Sequence, residues 1–192
     1  MTSNTRIACL LAFAVPAASP AAVQAQASDP VVRIGAYNDA IIAVMKAKLG
    51  LSARAARFDP LVRANYDMPG IAALVVGPAW ATTSVEDRAA AIAALTHHSA
   101  MSLARNFTSY DGTKFVVDPK PIDRAGSKVV KVMIGSDVLY YRMRSTAGGY
   151  RIIDVISSGV SQLTLQRADL AGTVASGGAK ALVRKLAQID AS

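Results

Sequence analysis

Residues 128–156 read KVVKVMIGSDVLYYRMRSTAGGYRIIDVI. Three runs rich in Val, Ile and Tyr, from Lys128 to Ile134, Val138 to Arg144 and Tyr150 to Ile156, are separated by Gly135-Ser136-Asp137 and Gly148-Gly149. β-Branched and aromatic side chains pack well on a pleated surface, and Gly-rich or Asp-containing breaks reverse the chain, so the stretch predicts an antiparallel meander. Lys114 to Val117, closed by Asp118-Pro119, adds a fourth strand. Val130, Val132 and Ile134 alternate with Val129 and Met133, and Ile152 and Ile156 with Ile153 and Val155. An apolar load on both faces fits a sheet buried on both sides, or one with a face lining a greasy cavity.

Upstream the period changes to that of helices. Asp29-Pro30 opens a stretch in which Ile34, Ile41, Val44 and Met45 recur at helical spacing up to Gly50. Ser52 is positioned to cap a second helix, and Asp59-Pro60 reads as a fresh N-cap with Pro at the first helical position. Asp67 and Pro69 repeat that device before Ile71 to Val76. Ser84-Val85-Glu86-Asp87 resembles a capping box and begins the longest helical pattern, which carries Ile92, Leu95, Leu103 and Phe107 and is expected to reach about Tyr110. After the strands, Arg167 to Ala175 and Gly178 to Ile189 read as two further helices. Helices, then strands, then helices predict an α+β fold: a twisted antiparallel sheet of about four strands packed against N- and C-terminal helices.

The beginning of the chain predicts export. Arg6 supplies a positive n-region, Ile7 to Val15 an apolar core, and Ala25-Gln26-Ala27 the small-x-small pattern of a cleavage site, so residues 1–27 read as a secretory signal peptide and 28–192 as one domain. The apolar run is short of the roughly 20 residues that span a membrane. Cys9 is the sole cysteine and falls within the leader; Arg6 stands where a lipoprotein signal wants an apolar residue. Without the leader the formal charge falls from +8 to +7, a balance that draws a protein toward anionic surfaces.

Catalytic chemistry finds little support. Residues 28–192 contain no cysteine and no Gly-x-Ser-x-Gly elbow. His97 and His98 are the only histidines, and neighbours on a helix point about 100° apart, so the pair cannot clamp a metal from one face. Neither Gly148-Gly149 nor Gly177-Gly178 has the setting of a phosphate loop, and no cofactor is expected. Asp154 reads as a strand acid paired with Arg142, Arg144 or Arg151. These arginines with Tyr140, Tyr141 and Tyr150 could suggest a nucleic-acid surface, but export argues against such a partner.

Several linked motifs together resemble one family. Tyr141-Arg142-Met143-Arg144, Gly149-Tyr150-Arg151-Ile152-Ile153-Asp154-Val155, Ser158-Gly159-Val160-Ser161, Gln166-Arg167 with Leu170, and Gly177-Gly178 with Leu182 and Leu186 are similar to the C-terminal half of MlaC-type periplasmic lipid-binding proteins, auxiliary components of ABC transporters. Phe58-Asp59, Asp67-Met68-Pro69, Val76-Gly77-Pro78-Ala79-Trp80 and Thr108 to Gly112 extend the resemblance over about Asp29 to Leu186. Met45-Lys46 and Gln166-Arg167-Ala168-Asp169-Leu170 look closer to the hopanoid-biosynthesis-associated branch. Tyr150 stands where the family usually has Trp, and Pro60 interrupts the Phe-Asp-Phe type element.

The resemblance implies a soluble periplasmic shuttle that holds acyl chains between sheet and helices, with outer-membrane asymmetry as its physiological setting. It would carry phospholipid or hopanoid-type lipid between an inner-membrane MCE-domain/ABC transporter complex and an outer-membrane lipoprotein or porin complex. At about 0.8 kcal/mol per buried methylene, a lipid with roughly 30 of them is on the order of 20 kcal/mol worse off bare in water, so its tails must be enclosed. Pocket candidates are Leu74, Val75, Leu95, Leu103, Phe107, Val130, Val132, Ile134, Tyr141, Met143, Ile153 and Val155. Lys128, Arg142, Arg144 and Arg151 are candidates for head-group or partner contact. The alternatives are a cone-shaped α+β isomerase or dehydratase with Asp154 or His97 as base, and a non-lipid adaptor with a solid core.

Overall fold

The computed structural model describes residues 29–192, so the expected leader and its cleavage point lie outside the described residues. Asp29 accepts N–H bonds from Val31 and Val32 and, with Pro30 next to it, starts α1 (Pro30–Lys46), whose inward stripe is Ile34, Tyr37, Ile41, Val44 and Met45. The second helix, α2 (Leu51–Asn65), starts from Gly50 and runs straight through Pro60, where the sequence suggested a break. Ala55, Phe58 and Val62 are all buried on one side of α2, and only a continuous helix keeps those positions on one stripe across the proline. Arg54, itself buried, donates from Nε to Ala104 O (2.7 Å) and from Nη1 to Leu49 O (2.6 Å), tying α2 to a later helix end.

Asp67 caps α3 (Met68–Val76) through Gly70 N, and a 3-10 turn (Gly77–Thr82) leads to Ser84, which caps α4 (Val85–Asn106) by accepting from Asp87 N. α4 stops at Asn106, four residues earlier than its periodicity suggested, so that Phe107 to Tyr110 form a connecting wall rather than a last turn.

The sheet has six antiparallel strands: β1 (Phe115–Val117), β2 (Ile122–Arg124), β3 (Ser127–Ile134), β4 (Asp137–Thr146), β5 (Gly149–Ser157) and β6 (Val160–Ser161). The order is β1-β3-β4-β5-β6, with β2 paired to the other end of β3's outer edge. The expected meander β3-β4-β5 forms its centre, and the count of four falls short because β2 and β6 are too short to show a period of two. One irregularity resolves the two-faced apolar pattern. Tyr141 pairs with Val155 and Arg142 with Asp154, but Met143 pairs with Ile152, leaving Ile153 as the extra residue of a bulge. Val155 and Ile152 therefore share the inner face although they are three apart, and Asp154 lies on the other.

The C-terminal helix α5 (Gln162–Asp190) is capped by Ser161, whose Oγ accepts from Thr164 N, and begins five residues ahead of the expected start at Arg167. It breaks at Gly177 and Gly178, one residue later than the expected parting of two helices at Ser176-Gly177. Gly178 has φ 57 and ψ −148, a region essentially restricted to glycine, and a Cβ on Gly177 would lie 2.9 Å from that of Ala181. The kink lets Leu163 and Leu170 before it, and Leu182 and Leu186 after it, all reach the core. Gly178→Ala is expected to lower unfolding free energy by about 1–3 kcal/mol in urea melts; an unchanged midpoint would mean the kink carries no constraint.

Candidate functional site

Helices α1, α2, α4 and α5 do not fill the space over the inner face of the sheet. A cavity of about 730 Å³ remains, walled by Met45, Tyr66, Leu103, Phe107, Tyr110, Phe115, Ile134, Leu139, Tyr141 and Val155. Asn106, Ser109, Asp111, Ser136 and Asp137, all exposed, form its rim. A second cavity of about 400 Å³ adjoins it, sharing Tyr66, Leu103, Val155 and Gln162, and continues between α4, β5 and both halves of α5 past Ile71, Ile153, Leu163, Leu170, Leu186 and Ile189. Volumes of several hundred cubic ångströms bounded largely by aliphatic and aromatic side chains accept apolar ligands rather than water.

Aromatic side chains brace the larger cavity. Tyr37 meets Tyr66 and Tyr141 edge to face at 5.9 and 6.0 Å, and its hydroxyl lies 3.1 Å from that of Tyr66. Phe107 packs on Phe58 and Phe115 at 6.4 and 6.2 Å. Burial pushes the Tyr66 phenol up to about 12, and raises Tyr37 and Tyr141 as well, so all three stay neutral hydroxyls at physiological pH. Tyr66 and Tyr141 thus give the larger cavity neutral hydrogen-bonding groups.

The sequence candidates divide between cavity and core. Leu103, Phe107, Ile134, Tyr141, Ile153 and Val155 line one or both cavities. Val75, Leu95, Val130, Val132 and Met143 are buried in the solid core and line neither. Leu74 is 40% exposed: one position along α3 from Val75, it is turned about 100° away from the core. Met45, Tyr66, Phe115 and Leu139 were missed. Pairing of Phe115 with Ile134, and of Leu139 with Val132, puts both on the inner face, but that register was not readable beforehand.

None of the four basic candidates lines either cavity. Lys128 pairs with Asp123 at 2.6 Å, Arg142 with Asp154 at 3.4 Å and Arg144 with Asp67, and Arg151 donates to Ala64 O at the end of α2. They hold segments together. Asp154, buried, accepts from Ser161 Oγ (2.7 Å) and Leu163 N (3.0 Å) besides facing Arg142, so its lone pairs are engaged by the start of α5. His97 is exposed and lines neither cavity, whereas His98 lines the smaller one with Nδ1 2.8 Å from Asp190 Oδ1.

Comparison of the sequence with protein-family models matches residues 36–188 to the model described as MlaC protein. The chain belongs to the MlaC family. Among solved structures, this MlaC-family fold is shared by a phospholipid-binding protein from Ralstonia solanacearum, determined in complex with a phospholipid: 17% identity, TM-score 0.68, with 85% of this chain and 98% of that one covered. Comparison with the curated proteins finds no match. No helix of this MlaC protein among the described residues is long and apolar enough to cross a membrane.

Proposed function

We propose that this protein is a soluble periplasmic lipid carrier that encloses the tails of a phospholipid or hopanoid-type lipid. In this reading it takes lipid from or delivers it to an inner-membrane MCE-domain/ABC transporter complex and exchanges it with an outer-membrane lipoprotein or porin complex. The carrying observation is the pair of adjoining cavities over the sheet, about 730 and 400 Å³, whose walls combine aliphatic and aromatic side chains with polar ones, His98, Asp154 and Asp169 among them in the smaller cavity. Family membership and the phospholipid held by the Ralstonia relative support it. Tails are to lie against Leu103, Phe107, Tyr141 and Val155, where each methylene removed from water contributes about 0.8 kcal/mol. Such a carrier requires no catalytic group. Organic extraction of the purified protein followed by mass spectrometry should recover stoichiometric lipid, and the protein should move labelled lipid between donor and acceptor complexes. Reproducible absence of both lipid and transfer would overturn the proposal.

A further inference from the structure

We infer that the mouth of the larger cavity selects lipids whose head group carries hydroxyl or amine donors and no net negative charge, with Asp111 and Asp137 making the selection. The inference rests on the carrier reading above and adds the class of head group. The chain has 21 Lys and Arg against 13 Asp and Glu, yet no Lys or Arg among the described residues lines either cavity. The charged side chains that do line the larger one are Asp111 and Asp137, both on its exposed rim.

The two carboxylates approach the mouth from different elements. Asp137 opens β4 directly across a tight turn from Ile134, which lines the wall beneath it. Asp111 follows the connecting wall that runs from Phe107 to Tyr110, and its Oδ1 accepts from Thr113 N at 2.9 Å, a bond that favours the ionised form. Ser109, Thr113, Ser136 and Asn106 complete the rim with neutral polar groups. Lys46 stacks on the Tyr110 ring at 4.9 Å from its centroid and is not part of the lining.

Deeper in, Tyr141 is 2% exposed, lines the same cavity and makes no hydrogen bond to any described residue. A neutral phenol in that position donates to an uncharged acceptor such as an ester carbonyl or a hydroxyl in the linker of a bound lipid. The site thus grades from apolar walls, through one neutral donor, to an acidic rim. That order matches tails, linker and a head that is cationic at its tip or a neutral polyol. A head with net negative charge would sit against two carboxylates with no cation in the lining itself, Lys46 being stacked on the Tyr110 ring.

The test offers delipidated protein an equal mixture of phosphatidylethanolamine and phosphatidylglycerol of identical chains in vesicles, and reads the bound fraction by extraction and mass spectrometry. Repulsion between an anionic head and rim carboxylates several ångströms away corresponds to roughly tenfold exclusion at low salt, shrinking as salt is added. Phosphatidylethanolamine is therefore expected to load about tenfold over phosphatidylglycerol, and the Asp111→Asn/Asp137→Asn double variant to bring the two within about twofold. Both aspartates are exposed, so the variant's melting temperature serves as the folding control. Equal or better loading of phosphatidylglycerol, or a preference that survives in the double variant, overturns the selection while leaving the carrier intact. Retention of neither lipid overturns the carrier reading itself.

Discussion

Asp154→Ala is expected to lower the unfolding free energy by about 3 kcal/mol, read as a shift of the urea midpoint at unchanged slope. The carboxylate is 5% exposed and accepts from Ser161 Oγ and Leu163 N while facing Arg142, so it holds the first turn of α5 onto the sheet bulge. Hydrogen bonds to a charged group contribute about 1.5–3 kcal/mol each, and removing the acceptor leaves the buried Leu163 N–H unsatisfied. The loss stays below the 3–5 kcal/mol typical of breaking a fully buried ion pair, because the Arg142 side chain is 39% exposed and can rehydrate. Asp154→Asn keeps one acceptor and should fall between wild type and alanine. If Asp154 were instead a general base, asparagine would leave stability near wild type and abolish a turnover; a destabilised variant that still carries lipid is the outcome expected here.

How much of this was legible beforehand follows the length over which each signal repeats. Helix starts at Asp29-Pro30, Asp67 and Ser84 are local chemistry, a side chain satisfying free N–H groups, and they stand where the sequence suggested. The break beside Gly177 was legible because glycine is the residue that tolerates non-helical backbone there. Asp59-Pro60 misled because the same cap chemistry occurs inside α2, where burial of Phe58 and Val62 outweighs the lost backbone bond and Asp59 pairs with Arg63 instead (2.6 Å). The central meander was readable from its turns; β2 and β6, three and two residues long, were not. Apolar candidates could be named but not sorted, since cavity wall and core use the same side chains. Val155 lines both cavities and Val132 neither, and the bulge that sets the face of Val155 leaves no mark in the sequence. The partners of the basic residues were hidden for a similar reason. Arg144 and Arg151 resemble head-group ligands in composition, but their partners, Asp67 and Ala64 O, come from the distant junction of α2 and α3.

Val155→Trp is expected to remove most bound lipid while leaving the fold intact. Val155 lies on the inner face opposite Tyr141 and lines both cavities, so an indole there occupies the junction through which a bound lipid would extend. Aromatic side chains are well tolerated in strands, and filling an existing void does not overpack a core, so the melting temperature should hold or rise. A tail pushed out by about four methylenes forfeits ~0.8 kcal/mol for each, on the order of 200-fold in affinity. Leu74→Trp is the matched control: the same side chain on α3, at a position 40% exposed that lines neither cavity, should leave lipid content unchanged. The measurement is lipid per protein after purification, together with the rate of loading from vesicles. Wild-type lipid content in Val155→Trp would mean that tails do not cross the junction, and the two cavities would then have to act as separate sites. A loss shared equally by Leu74→Trp would point to an outer docking surface instead. Selective loss at Val155 ties the bulge in β5 to function: with Asp154 bonded to the start of α5 and Val155 on the inner face at the junction of the two cavities, one extra residue both anchors the helix and shapes the space beside it.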